Sequence, residues 1–399
     1  MASQKINQGV SFVGIMNPNM RVFDIVMKTD SGTTYNSYIV KGEEKTALIE
    51  TSHADFFNLY MDNIRQVCDP ASIDYIILNH NEPDHSGALA QIMEQMPNAK
   101  IVVSQAGALY LKNITNKELD VIKVKDGDSL DLGGKTLHFI SAPFLHWPDS
   151  MFTWLPEDKT LFTCDFFGCH YCEPYVLDQY ITYPTAYEAA LQLYYSAIFG
   201  PFPSYVQKGL EKMRDLGAEY ICNSHGPVLT KDGLLGHVME MYDQWSQPEP
   251  QGAPNIPVFY CTAYGNTKQL AEKIQEGILS VLPQANVELY DIIEHDLGEL
   301  HGKLNKSSAF AVGTPTLNKD AVAPVWMLLA GVDAINCAKK PCLVFGSYGW
   351  SGEGVPNVKQ RLESLKMKVF GDGYRVTFVP NNEDLENAKQ LGADFAATL

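Results

Sequence analysis

The chain has 399 residues, 45% hydrophobic and 19% charged, enough for two or three domains with extensive cores. Thirty Lys and Arg against 47 Asp and Glu give a net charge of −17, which argues against the basic footprint that nucleic-acid binding needs. No apolar run reaches the roughly 18 residues of a membrane span, the start MASQKINQGV lacks a signal-peptide core, and eight cysteines are too sparse for a disulfide scaffold, so a cytoplasmic enzyme is expected.

Strands are predicted at 34–40, 46–50, 75–79, 101–104, 136–141, 151–155, 160–164 and 220–223, with amphipathic helices at 55–67, 87–95, 186–198 and 206–216. This order suggests two sheets sandwiched by helices. Four prolines and a glycine in Ser246–Pro257 then mark a domain boundary. Residues 1–250 carry 31 acidic and 17 basic side chains, and the remainder 16 and 13, so most of the acidic excess lies in the first part. Beyond the boundary, strands at 257–261, 286–291, 308–312, 342–345 and 374–379 alternate with helices, the pattern of a doubly wound parallel sheet.

The strongest chemical signal is Asn79-His80-Asn81-Glu82-Pro83-Asp84-His85-Ser86-Gly87, where four metal-competent side chains occupy six positions after an apolar strand. A loop at a strand end brings His80, Glu82 and either Asp84 or His85 onto one small volume, whereas a helix would scatter them. A plain turn capping the next helix would need only Asp84 or Ser86 and leaves the histidines unexplained. Metal binding is therefore expected.

This run resembles the metallo-β-lactamase superfamily with one departure: Glu82 stands where the hydrolases of that fold usually carry histidine. A carboxylate there makes the site harder and more anionic, which favours iron over zinc. The resemblance extends to His146 in LHWPDSM, Asp165 after the strand 161–164, and His225 in NSHGP. It implies one metal on His80, Glu82 and His146, a second on Asp84, His85 and His225, and Asp165 shared between them, the metals roughly 3.5–4 Å apart. Cys169 and Cys172 form a lone CxxC without the second pair of a zinc ribbon. His170 is expected either behind a ligand or as a structural histidine.

In the second part, Thr262-Ala263-Tyr264-Gly265-Asn266-Thr267 links a strand to the predicted helix 268–282, an arrangement that aims donors and a helix amino terminus at one point. Thr314-Pro315-Thr316-Leu317-Asn318 and Ser347-Tyr348-Gly349-Trp350-Ser351-Gly352-Glu353 follow later strands and are expected to meet it at the sheet's carboxyl edge. These loops lack arginine, a Gly-x-Gly-x-x-Gly fingerprint and a Walker ending. They resemble flavodoxin, which implies FMN, with Tyr348 and Trp350 along its ring.

Together the two halves resemble the flavodiiron proteins (A-type flavoproteins), over essentially the whole chain. The resemblance implies an N-terminal αββα metallo-β-lactamase-like diiron domain at 1–250 and a flavodoxin-like FMN domain at 255–399. It implies reduction of dioxygen to water, nitric oxide to nitrous oxide, or both. Two ferrous ions and reduced FMN hold four electrons, the number that turns one dioxygen into two waters. It also implies a head-to-tail homodimer or a tetramer, in which one subunit's flavin serves the other's irons. The chain stops at Leu399 without a rubredoxin or reductase extension, so a separate donor is expected: a rubredoxin-like protein, a reductase or a reduced deazaflavin. Asp24 in MRVFDI stands where members often carry histidine, which leaves the preference between the two gases open. The competing readings are a binuclear metal hydrolase with an accessory flavodoxin domain, and an electron carrier in which only the flavin half works.

Overall fold

The computed structural model describes residues 3–25, 27–248 and 252–399. Residues 249–251 of the expected boundary lie outside the described residues. The chain divides into two compact units, Met1–Pro248 and Glu249–Leu399.

In the first unit, short apolar runs form two large sheets among the described residues. One orders Gln4–Lys5, Val10–Phe12, Tyr38–Lys41, Thr46–Ile49, Tyr75–Leu78, Lys100–Ser104 and Val121–Val124; the other orders Ser129–Asp131, Thr136–Ser141, Met151–Leu155, Thr160–Cys164, Tyr220–Asn223 and Leu229–Thr230. Strand alternation assigns the faces. Val40, Ile49, Ile77 and Val102 of the first sheet share one core with Leu137, Phe139, Leu155 and Phe162 of the second. Their neighbours Ile39, Leu48, Ile76, Leu78 and Val103 point the other way, into a core with Tyr60, Ile64, Leu89 and Ile92 from flanking helices. Strands buried on both faces read as continuous apolar runs, which is why YIIL and KIVV show no polar alternation. The result is the expected αββα sandwich.

Several boundaries differ from the sequence expectation. The strand expected at 34–40 is two: Thr33–Tyr35 pairs with Ile15–Asn17, and Tyr38–Lys41 belongs to the first large sheet. Between them Asn36 bonds Ser224, Asn223 and Gly226, contacts nearly 190 residues away that no local pattern reveals. The helix expected at 87–95 is preceded by a turn of helix at Pro83–Ser86 and starts at Leu89. The helix expected at 186–198 spans Pro184–Tyr194 and passes into a π turn at Tyr195–Phe199. Such turns concentrate at functional sites.

The second unit is a five-stranded parallel sheet ordered Leu289–Asp291, Val258–Tyr260, Phe310–Gly313, Pro341–Tyr348 and Lys368–Thr377. In chain order this is 2-1-3-4-5, the flavodoxin-like arrangement, whose switch point lies between the first and third strands. The last strand starts six residues before its expected position because Gly371-Asp372-Gly373 bulges without ending the pairing. Among the described residues no helix is long and apolar enough to cross a membrane.

Candidate metal centre and flavin pocket

Four strands of the first unit carry the site at their carboxyl ends. His80 follows Tyr75–Leu78, His146 lies in the connection between Thr136–Ser141 and Met151–Leu155, Asp165 follows Thr160–Cys164, and His225 follows Tyr220–Asn223. Glu82 precedes the short helix Pro83–Ser86, which carries Asp84 and His85. The loop expectation is thus corrected: a single helical turn is short enough to keep its side chains on one volume. Cys164, at φ 52° beside a register shift, turns the chain so that Asp165 leaves the sheet.

All seven side chains converge. His80 Nε2 and His146 Nε2 lie 3.1 and 3.2 Å from Glu82 Oε2, and 3.7 and 3.5 Å from Asp165 Oδ2. On the other side His85 Nε2 and His225 Nε2 lie 3.3 and 3.0 Å from Asp84 Oδ2, and 3.2 and 3.4 Å from Asp165 Oδ1. Asp165 therefore divides its two oxygens between two clusters, each with one further carboxylate and two imidazoles.

The electrostatics follow from burial and proximity. Burial alone would lower the histidines, but Asp149 and Glu82 raise His80 to about 10, while Asp165 and Asp84 raise His225 to about 9. Against burial, Asp84 and Asp165 also hold His85 well above its usual value. Burial would raise Glu82, yet His146 and His80 bring it down to about 2, and the histidines hold Asp165 well below the carboxylate range. The donor set tests directly for a cation. Asp84 Oδ1, both Asp165 oxygens and His85 Nε2 are buried without a hydrogen bond, although His85 Nε2 and Asp165 Oδ1 stand 3.2 Å apart. Buried polar atoms left unpaired while they converge on common points suit bound cations. Four imidazoles and three carboxylates suit iron.

Sequence reasoning missed the groups behind these donors. Asp149 Oδ1 lies 3.1 Å from His80 Nδ1, and its Oδ2 accepts from Asn81 N at 2.9 Å. The only available signal was an acid three residues after His146. His225 Nδ1 donates to the Thr34 carbonyl at 2.6 Å, a partner 191 residues away with no signal at all. Glu50, Cys164 and His85 form a further buried group, in which burial pushes Glu50 up to about 7. His170 lies behind His225, ring centroids 5.2 Å apart, with Nδ1 2.8 Å from Thr33 Oγ1. Cys169 and Cys172 are free. Partial desolvation first, then the charges of Glu82 and Asp84, raises the Asp24 carboxyl, so Asp24 feels the site although its side chain reaches solvent.

In the second unit a pocket of about 280 Å³ opens at the sheet's carboxyl edge. Thr262, Ala263, Tyr264, Asn266, Pro315, Thr316, Leu317, Asn318, Ser347, Tyr348, Gly349, Trp350, Ser351 and Glu353 of the three expected loops line it, with Lys319 and Phe378 in addition. Gly265, Thr267, Thr314 and Gly352 do not line it. Thr267 Oγ1 meets Ser347 Oγ at 3.2 Å, and Thr314 is fully buried. A phosphate fits this pocket: the helix Asn266–Val281 starts without a side-chain cap, and Thr262 Oγ1 is buried without a partner.

Residues 33–226 match the model of the ODP family beta lactamases, and residues 258–392 that of flavodoxin. The chain is 53% identical to the flavo-diiron protein FprA2 of Clostridium acetobutylicum, covering all of both chains. The chain belongs to the flavodiiron protein family. This flavodiiron protein is also 33% identical to the nitric oxide reductase of Moorella thermoacetica, over 99% of this chain and 98% of that one. It shares 28% identity and a TM-score of 0.72 with the rubredoxin oxygen:oxidoreductase of Desulfovibrio gigas, over 99% of this chain and 98% of that one. As a flavodiiron protein it is an enzyme, an oxidoreductase whose cofactors are FMN and a non-haem diiron pair, and its residues fit both groups.

Proposed function

We infer that this flavodiiron protein reduces dioxygen to water, nitric oxide to nitrous oxide, or both, with electrons from an external donor. His80, Glu82 and His146 hold one iron, Asp84, His85 and His225 the other, and Asp165 both. Residues 1–250 form the diiron domain and 255–399 the FMN domain. The observation that carries this reading is the division of the Asp165 carboxylate between two matched clusters. Bound iron and FMN supply the electron transfers, and the side chains supply the setting.

Thr34 and Asp149 keep a proton on Nδ1 of His225 and His80, so that each offers its Nε2 lone pair inward. Phe23 and Tyr35 pack against His225, Trp147 against His80, and Phe199 against His146, with centroids 4.9 to 6.3 Å apart. These rings restrict imidazole rotation and keep bulk water from the buried donors. Asp24 and Glu82 bring acidic groups towards the site, which favours neutral substrates over anions.

The flavin pocket is rimmed by exposed Tyr264, Leu317, Trp350 and Phe378, an apolar area of the kind that an interface covers. A head-to-tail homodimer, or a tetramer built from it, supports transfer from one subunit's flavin to its partner's irons. A rubredoxin-like protein, a reductase or a reduced deazaflavin is the proposed donor, and the cytoplasm the proposed location. The hydrolase alternative is not favoured, since the family's chemistry is redox. Iron and FMN quantification with anaerobic stopped flow of the reduced protein against each gas tests the reading. Zinc without flavin, or reduced protein inert to both gases, overturns it.

A further inference from the structure

The two metal positions have the same donor count but different surroundings. Each has one carboxylate of its own, two imidazoles and one oxygen of Asp165. The difference lies behind the rings. His80 Nδ1 donates to the Asp149 carboxylate at 3.1 Å, with both side chains fully buried. His225 Nδ1 donates to a neutral carbonyl, that of Thr34. His85 Nδ1 stands 4.0 Å from Cys164 Sγ. Glu50 is near His85, but its Oε1 accepts from Asn79 N and its Oε2 bonds nothing.

We propose that Asp149 makes the two irons unequal, binding the one on His80, Glu82 and His146 more tightly and holding it ferric after the other has become ferrous. The proposal rests on the diiron reading above. An anionic acceptor draws the Nδ1 proton away from the ring and makes Nε2 a stronger donor. A stronger donor stabilises the more highly charged ion preferentially, and burial in low dielectric enlarges the effect. The carboxylate cannot swing away, because Oδ2 holds Asn81 N at 2.9 Å and its backbone carbonyl accepts from Ser104 Oγ at 2.8 Å. Asp149 is thus a positioning residue that also ties the loop of His80 and Glu82 to the loop of His146.

The test compares the full-length holoprotein with Asp149→Asn and Asp149→Glu. Redox titration monitored by the mixed-valent electron paramagnetic resonance signal reads the separation of the two iron couples. Chelator competition reads the affinity of each iron. Asp149→Asn is expected to shift the lower couple to more positive potential, shrink the mixed-valent window, and release one iron roughly ten- to a hundredfold more readily. Asp149→Glu is expected to restore part of the window. An unchanged window and unchanged chelation in an Asp149→Asn protein that holds two irons overturn the proposal alone. A wild-type protein that takes up no iron pair overturns the diiron reading and this proposal with it. If Asp149→Asn does not fold, crystals of metal-stripped wild type given one equivalent of zinc decide: occupancy beside His80 supports the proposal, and occupancy beside His225 overturns it.

Discussion

Asp165 Oδ1 stands 3.2 Å from His85 Nε2 with no hydrogen bond between them. Two buried polar atoms left unpaired at that distance suit a shared third partner. The other oxygen of the same carboxylate faces His80 and His146. Asp165→Asn keeps the size of the side chain but removes its charge. The expected outcome is loss of both irons together, whereas His225→Ala loses one of them preferentially, as read by metal analysis on protein with unchanged circular dichroism. Full iron content in Asp165→Asn would separate Asp165 from the centre.

Metal binding and stability are linked through the same convergence. A ligand that binds only the folded state stabilises it, by about 2.7 kcal/mol at a hundredfold excess over its Kd. Stripping the iron with a chelator should lower the melting transition of the N-terminal unit and leave the temperature of FMN release unchanged. Calorimetry with parallel flavin fluorescence measures both. An unshifted N-terminal transition would show that the donor cluster holds no ion of consequence.

Gly352 acts on the flavin pocket without lining it. At φ +73° it occupies the left-handed region, and a Cβ there would stand 2.8 Å from the Tyr348 ring. Gly352→Ala therefore incurs roughly 1–2 kcal/mol of backbone strain and pushes a pocket wall inward. FMN affinity is expected to fall about tenfold, since 1.4 kcal/mol is one decade in Kd. Fluorescence titration of the flavin-free protein checks this, and an unaltered Kd would mean that Tyr348 does not contact the ring.

Helix propensity and packing give opposite expectations at Gly277. Alanine gains about 1 kcal/mol in an exposed helix interior. Here, however, a Cβ would collide with the Lys389 carbonyl of the helix Asn382–Ala396, which packs closely against Asn266–Val281. Overpacking of this kind typically costs about 1–3 kcal/mol. Gly277→Ala should therefore lower the denaturation midpoint of the C-terminal unit; a rise would show that the helices separate easily.

Much of this was legible from residue order. The strands Thr136–Ser141, Met151–Leu155, Thr160–Cys164 and Tyr220–Asn223 have the bounds expected from their apolar runs, because local β propensity and burial agree there. The seven expected donors meet because they sit on the connections that leave four strand ends, which the sheets bring to one edge. Elements defined by distant partners were less legible. Asn36 and Ser37 read as strand, yet Asn36 is drawn to Ser224 and Gly226 and breaks the run into two sheets.

The linear order of residues alone specified the chemistry: which side chains can bind iron, that a carboxylate replaces an imidazole at Glu82, and that three strand-end loops suit a flavin phosphate. These are properties of residue type and short spacing, which survive without coordinates. Only the tertiary structure decided which oxygen of Asp165 faces which cluster, that Asp149 backs His80 while a bare carbonyl backs His225, and that Gly352 stands against the Tyr348 ring. Those relations join residues up to 191 positions apart. They exist because two sheets must close over a shared core, a constraint that local periodicity does not encode.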